Sequence, residues 1–406
     1  MARRRSAKQS QQESPARIEP AFIEGDIPER IADRAGEVLA AGAAFGAALH
    51  PKTAASLAQL VRIMNAYYSN LIEGHNTLLA DIVRALEGKF VQNQERRNLQ
   101  IEAAAHVRVQ RYIDDLVATN ALPEPASADF IRSLHRRFYS DASKTMLTMK
   151  NGAKYYAMVP GDFRSEPLHD VVVGQHQPPS SDRVEDFMAY FADRYRFHER
   201  GKMMRVVMAA AAHHRFNYIH PFSDGNGRVS RLMSHAMLQA AGIGAHGLWS
   251  ISRGLARGLG DRDEYKRLLD AADAPRDGDF DGRGNLSQRA LLAWTEWFLA
   301  ICLDQIAFMS RLFELNRLSE RIRAYAANER LDEPASRLLE EAVRGEISRG
   351  EVARITGQPE RTARRTLNQI IESGLLASDT PKGPVSLRFT LELAQSAFPQ
   401  IFAPTG

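Results

Sequence analysis

The sequence predicts a mainly α-helical protein with a short β-hairpin flap and a small separate module at its C-terminus. Three observations predict this. Apolar residues recur every three or four positions in long runs, as in SLAQLVRIMNAYYSNLIEG, where Leu57, Leu60, Val61, Met64 and Tyr68 share one side of a helix. One internal stretch, YYAMVPGDFRSEPLHDVVVGQHQPPSS, gathers proline, glycine and the run Val171–Val173, which suits a hairpin or extended flap better than a helix. After Leu376 the pattern changes to ASDTPKGPVSLRFTL, a glycine-proline turn flanked by strand-like residues.

Taken in order, residues 1–20 hold no large apolar side chain except Ile18, so they are expected to be a disordered tail. Residues 21–110 form an N-terminal helical region, in which the helix quoted above ends near Gly74, a plausible C-cap. A helical core is expected over 111–328: SADFIRSLHRRFYSD, then the flap, then helices from Arg183 to about Arg330. The apolar stretch LLAWTEWFLAICLDQIAFM within 291–325 fits internal packing or a homodimer face. ERLDEPAS, with Pro334, reads as a hinge. No internal repeat is visible.

Bulk properties narrow the classes. A chain of 406 residues, 44% hydrophobic, can bury substantial cores in about two or three domains. Its single cysteine, Cys302, excludes an intrachain disulfide and a CxxC zinc pair, so a reducing cytoplasm is expected. The N-terminus lacks the apolar segment of a signal peptide, and no uncharged span of roughly 18 residues is present, so no membrane partner is expected. With 53 basic against 49 acidic residues, net +4, charge alone decides little.

Within 335–406, Ile347 to Leu376 reads as helix, tight turn, helix. SRGEVARITG opens with Ser348 and Glu351 in capping-box spacing, Gly357 breaks it, and ERTARRTLNQIIESGLL follows. This resembles a winged helix-turn-helix with the turn after Leu376 as its wing. In such a module Arg361, Thr362, Arg364 and Arg365 lie toward the start of the recognition helix and reach DNA. In a module used only for packing, the same arginines are a solvated face.

The most informative stretch is HPFSDGNGRVSR at 220–231. An EF-hand fails, because the register with Gly227 at the sharp turn puts Phe222 and Met233 where oxygen ligands are needed. A Walker loop and a dinucleotide fingerprint lack their flanking residues, and His213, His214 and His220 do not make the HExxH spacing of a zinc hydrolase. The residues do suit phosphate chemistry. Glycines on both sides of Asn226 let the backbone present bare N–H groups at a helix N-terminus. Arg228 and Arg231, three apart, can fork onto phosphate oxygens, and Asp224 offers a hard oxygen to Mg²⁺. His220, just upstream, can take a proton from a hydroxyl.

These residues match HxFx[DE]GNGRxxR, the signature of the Fic family, at His220, Phe222, Asp224, Gly225, Asn226, Gly227, Arg228 and Arg231. The resemblance extends over roughly 110–310. It implies a Fic helical core with a β-hairpin flap, and transfer of AMP from ATP to a Ser, Thr or Tyr hydroxyl of a target protein or of the chain itself. It further implies His220 as base, Asp224 as ligand of Mg²⁺ or Mn²⁺, and Asn226 with its glycines at the α- and β-phosphates. Arg228 and Arg231 would hold the outer phosphates. Val172, Val173 and Gly174 of the flap would bound the nucleotide, with Tyr265, in DEYKRLLDAAD, near the base.

SNLIEG at 69–74 resembles the family's inhibitory motif [ST]xxxE[GN]. With Ser69, Glu73 and Gly74 so placed, the resemblance implies a two-point salt bridge from Glu73 to Arg231 that blocks the γ-phosphate. Three readings remain open. The chain is an autoinhibited adenylyltransferase, a nucleotide-sensing DNA-binding regulator, or an enzyme that removes AMP with Glu73 orienting water.

Overall fold

The computed structural model describes residues 14–402, except 24 and 26. Helices α1 (Glu29–Gly46), α2 (Pro51–Ile72), α3 (Leu79–Leu86), α4 (Gln94–Ala118) and α5 (Ala128–Phe138) precede a hairpin of β1 (Thr148–Asn151) and β2 (Lys154–Ala157). After it come α6 (Val184–Arg194), α7 (Lys202–Ile219), α8 (Asn226–Ala240), α9 (Ile251–Arg257), α10 (Glu264–Ala271) and α11 (Gln288–Leu312). Caps set several of these starts: the Asn93 and Ser127 side chains accept from the backbone N–H of Arg96 and Phe130 at the starts of α4 and α5.

Helix α7 lies at the centre, buried without a break from Val206 to Phe216. Its small residues Ala209 to Ala212 leave room for α8 and α11, and Trp294 of α11 donates its indole N–H to the Ala210 carbonyl at 2.7 Å. Helix α11 is long and apolar enough to cross a membrane by composition, yet Leu291, Trp294, Phe298, Ile301, Cys302 and Met309 are buried within this chain.

Three expectations need correction. Residues 1–13 of the expected tail lie outside the described residues, but 14–20 are ordered. Pro15–Ile18 forms a 3-10 turn, the Glu19 carboxylate accepts from Arg194 and Tyr190 at 2.6 Å each, and Ile18, Ala21, Phe22 and Ile23 are buried. A boundary drawn at residue 20 separated the turn from the apolar run that anchors it. The regular hairpin, 148–157, starts upstream of the valine run. It pairs Thr148 with Ala157 and Asn151 with Lys154, whereas the Val171–Val173 segment contributes one isolated bridge, Val173 to His176. The segment around Pro334 is a close helix-to-helix turn rather than a hinge, because the Asp332 side chain caps the next helix at Ala335 N–H, 2.9 Å.

That turn joins α12 (Leu315–Asn328) to α13 (Glu333–Arg344), which pack on each other. Then come α14 (Val352–Thr356), α15 (Glu360–Glu372), the antiparallel strands β3 (Leu376–Ala377) and β4 (Ser386–Leu387), α16 (Leu391–Ala397) and α17 (Pro399–Phe402). Helix α12 also packs on α16, so by contact it goes with this C-terminal module. The Ser348 hydroxyl meets the Glu351 carboxylate directly at 3.2 Å, so the expected capping box is not formed. The module is fastened to the first turns of α2. Thr53 donates to the Val343 carbonyl at 3.0 Å, Phe389 N–H donates to Ser56 at 3.1 Å, and Lys52 pairs with Asp379 at 2.5 Å.

Candidate active site

Helix α7 ends in a residue that favours glycine but is histidine. His220 is left-handed, φ +50 and ψ +61, a strained conformation that must be held by its surroundings. Arg164 holds it. This buried side chain donates to the His220 carbonyl at 2.7 Å and the Ile219 carbonyl at 3.2 Å, while its backbone N–H donates to Pro221 at 2.8 Å. Phe222 then plugs the loop into the core, its ring stacked on His135 at 3.9 Å. Asn226 closes the turn from the other side, accepting from Phe222 N–H at 2.8 Å and donating to Phe222 carbonyl at 2.7 Å. Its amide is therefore engaged within the loop, and its backbone N–H stands at the start of α8.

Both glycines have steric reasons to be there. A Cβ on Gly225, at φ +78, would lie 2.7 Å from the Tyr139 hydroxyl, and one on Gly227 would lie 2.5 Å from a Glu73 carboxylate oxygen.

The His220 ring keeps some solvent access, but burial first, then the nearby Arg164 and His176, pushes its pKa down to about 4. It is thus neutral at pH 7 and able to accept a proton. Asp224 receives the Tyr139 hydroxyl at 2.8 Å on one oxygen, and its other oxygen meets no donor among the described residues. His135 accepts the Gly161 N–H on Nδ1 at 2.8 Å, so its Nε2 carries the proton that reaches the Asp224 carbonyl at 3.2 Å. A single unpaired carboxylate oxygen just before the α8 N-terminus fits Mg²⁺, which usually completes its shell with water and phosphate. Among the described residues no group of three or more His, Cys, Asp or Glu could cage a metal alone.

The two arginines of α8 are each answered by a different acid. Arg228 donates to Glu102 of α4 at 2.7 Å. Arg231 donates to Glu73 at 2.6 Å through Nη2, and to the Ser69 hydroxyl and carbonyl at 2.9 and 3.2 Å. The expected two-point bridge is therefore a one-point bridge completed by Ser69. Glu73 is the C-cap of α2 and Gly74 follows at φ +84, so the carboxylate is delivered by the helix end. Burial acts to raise the Glu73 pKa, but Arg231 and Arg228 outweigh it and hold the carboxyl below its ordinary value. About a third of that side chain, 32%, stays open to solvent.

A Fic/DOC family model matches residues 125–238. The chain carries a Fic domain. Across 178 residues it is 29% identical to the protein adenylyltransferase Fic of Nematostella vectensis, covering 44% of this chain and 37% of that one. With the protein adenylyltransferase Fic of Culex quinquefasciatus the match is 30% over 186 residues, 44% of this chain and 32% of the relative. The chain thus spans about a third of the length of these curated relatives. A Fic family protein from Desulfovibrio desulfuricans superposes with TM-score 0.50 at 18% identity, over 90% of this chain and 98% of its own. A Fic-domain-containing signalling protein from Bacteroides thetaiotaomicron gives 0.51 at 18%, over 68% and 96%. These two likenesses concern the fold.

The remaining predicted residues fall in three places. Val172 and Val173 are exposed on a segment that Gly174, at φ +60, turns back so that His176 reaches the Tyr218 carbonyl at 2.7 Å and Asp273 at 3.0 Å. Tyr265 is buried beside Trp294 and Trp297, its hydroxyl 2.9 Å from His213 Nε2 and within the electrostatic reach of Arg231 and Glu73. Arg361, Thr362, Arg364 and Arg365 are exposed on α15, away from the Fic loop. Sequence reasoning missed Tyr139, His135, Arg164 and Glu102. Only Glu102 left a trace, since Glu102, His106, Gln110 and Asp114 recur every four residues on a helix otherwise lined with alanine and valine.

Proposed function

We propose that this chain is an autoinhibited protein adenylyltransferase that uses ATP to modify Ser, Thr or Tyr hydroxyls of a protein. The observation that carries the reading is Arg231, buried at the base of a glycine-lined loop and occupied by Glu73 and Ser69. A guanidinium so placed suits a terminal phosphate, and an ionised carboxylate already on it opposes ATP. With Glu73 withdrawn, backbone N–H groups at the start of α8 bind the phosphates. His220 takes the proton from the target hydroxyl, whose oxygen attacks the α-phosphorus in line as pyrophosphate leaves. Mg²⁺ on Asp224 would neutralise the charge that develops on the phosphates. The exposed edge at 171–174 is suited to aligning target main chain by strand addition.

A second reading has one observation in its favour. Glu73 uses a single oxygen on Arg231, and its other oxygen accepts nothing among the described residues, so an ionised carboxylate is available to orient water for AMP removal. The C-terminal elements, two short helices followed by a hairpin, support assignment as a winged helix whose α15 arginines contact DNA. Intact-mass measurement after incubation with ATP and Mg²⁺ tests the enzyme reading. Glu73→Gly should gain adenylyl groups beyond wild type and His220→Ala should gain none; a modified His220→Ala, or a Glu73→Gly no more modified than wild type, overturns it.

A further inference from the structure

We infer that a cavity of about 340 Å³ between α2, α4 and the end of α8 is a regulatory site for a small amphipathic carboxylate, whose binding loosens the Glu73–Arg231 pair. The second half of this inference rests on the reading of that pair given above. The volume lies near the small end of the about 300–1,000 Å³ typical of ligand pockets, the size of a metabolite. Ala55 and Ala58 of α2 and Val117 of α4 provide an apolar wall, Arg62, Asp114 and Gln239 provide the polar end, and the exposed Asp115 and His246 complete the polar lining.

Arg62 offers a positive charge at the enclosed end of the cavity, Asp115 being exposed to solvent. The Arg62 Nε donates to Asp114 at 2.7 Å, while its two terminal amino groups meet no acceptor among the described residues, leaving a fork that suits a carboxylate. Asp114 carries no matching opening for a cation. It is already engaged by Arg62, by His235 at 2.7 Å and by Gln239 at 3.2 Å.

The cavity is joined to the clamp by a column of polar residues between three helices, buried in its middle and partly open at both ends. On α2 the column is Arg62, Asn65, Ser69 and Glu73; on α4 it is Glu102, His106, Gln110 and Asp114; on α8 it is Arg228, Arg231, His235 and Gln239. Each set follows one helical face at three- or four-residue spacing. The rungs are Glu102 to Arg228 at 2.7 Å, Ser69 and Glu73 to Arg231, Asn65 to Gln110 at 2.6 Å, and Asp114 to both Arg62 and His235. At the centre, His106 is buried with neither ring nitrogen hydrogen-bonded, so the column is under-satisfied there. From Arg62 to Glu73 is about 16 Å along the axis of α2. A carboxylate on the terminal amino groups of Arg62 draws the guanidinium from Asp114, which ties Arg62 of α2 to His235 of α8, one turn beyond Arg231. Weakening that tie frees α2 to shift against α8, and Ser69 and Glu73 move with it.

Phenylacetate is the probe, phenethylamine its charge-reversed control, and calorimetric titration of the full chain the readout. Phenylacetate should bind saturably with Kd of about 1 mM or tighter. Phenethylamine should not bind, and Ala55→Phe, which fills the cavity from an exposed position, should weaken phenylacetate at least tenfold, as should Arg62→Met. In His220→Ala, which permits ATP titration without turnover, phenylacetate should tighten ATP at least threefold. That coupling should vanish in His220→Ala/Glu73→Gly. Absence of saturable phenylacetate binding, or binding indifferent to Ala55→Phe, overturns the site; an ATP affinity that ignores phenylacetate overturns the coupling. Failure of ATP to bind even with Glu73 replaced instead counts against the adenylyltransferase reading, and leaves the phenylacetate titration to judge the cavity alone.

Discussion

Two arginine clusters, of similar spacing, stand in opposite circumstances. Arg228 and Arg231 sit three apart on α8, both buried, each committed to a carboxylate from another helix. Arg361, Arg364 and Arg365 sit on α15 with their side chains in solvent, and Arg364 reaches only Glu360 one turn away, at 3.6 Å. In the first cluster each guanidinium is surrounded by groups that also constrain its neighbours, so removing one partner exposes another. In the second, charge is present without enclosure. Motif and surface are thus distinguished by what surrounds the charge.

Histidine repeats the contrast and gives the largest expected effect. His135, His214 and His220 are pushed down to about 4 and His213 to about 3, each first by burial, whereas residues 331–406 contain no histidine. In the unfolded chain these groups take a proton near 6.5, so their neutral burial favours the folded state fully above that pH and progressively less as pH falls toward about 4. The Fic domain should therefore open first on acidification. Hydrogen exchange at pH 4.5 compared with pH 7 should show residues 206–220 losing protection well before 360–372; simultaneous loss would mean that the two regions unfold as one unit.

Arg228→Ala comes next. It strands Glu102, 13% exposed, opposite no cation, and uncompensated buried charges typically cost about 3–5 kcal/mol. Urea denaturation should show a loss of that order, and adding Glu102→Ala should recover a large part of it. A loss under about 1 kcal/mol would mean that water reaches Glu102 freely.

How much of this was legible in the sequence follows from the same contrast. The loop at 220–231 was readable because its residue types are each fixed by local geometry: Gly225 by a positive φ, Gly227 by the approach of Glu73, Phe222 by burial. Glu73 was readable as a motif, but not the number of its contacts, because the approach angle of α2 depends on packing across 158 positions of chain. Tyr265 was legible only as an aromatic residue near a motif, and its contacts with Trp294 and His213 were not, because they depend on packing between distant helices. The ordered turn at 14–20 was invisible because its partners Arg194, Tyr190 and Arg215 are more than 170 residues away.

Glu73→Gly sharpens the contrast from the other direction, by freeing a buried arginine without stranding an acid. Arg231, 1% exposed, keeps only the neutral acceptors of Ser69, so stability should fall while the site opens to phosphate. ATP affinity should rise tenfold or more, about 1.4 kcal/mol, by calorimetric titration with Mg²⁺. An unchanged affinity would show that the single contact at 2.6 Å does not stand in the way of ATP.

The smallest effect is expected where the charge is exposed. Replacing Arg361, Arg364 and Arg365 together by alanine removes no buried partner, so stability should stay within about 0.5 kcal/mol per site and adenylyl transfer should be unchanged. What should change is binding to duplex DNA. Each lost phosphate contact lowers the slope of log affinity against log salt by about 0.9, so three should flatten it by about 2.7. If fluorescence anisotropy shows the same slope for both proteins, α15 does not touch the backbone, and the arginines serve only as a solvated face. If the triple replacement instead lowers stability by several kcal/mol, enclosure is not what separates the two clusters, and the argument from Arg228 and Arg231 loses its ground.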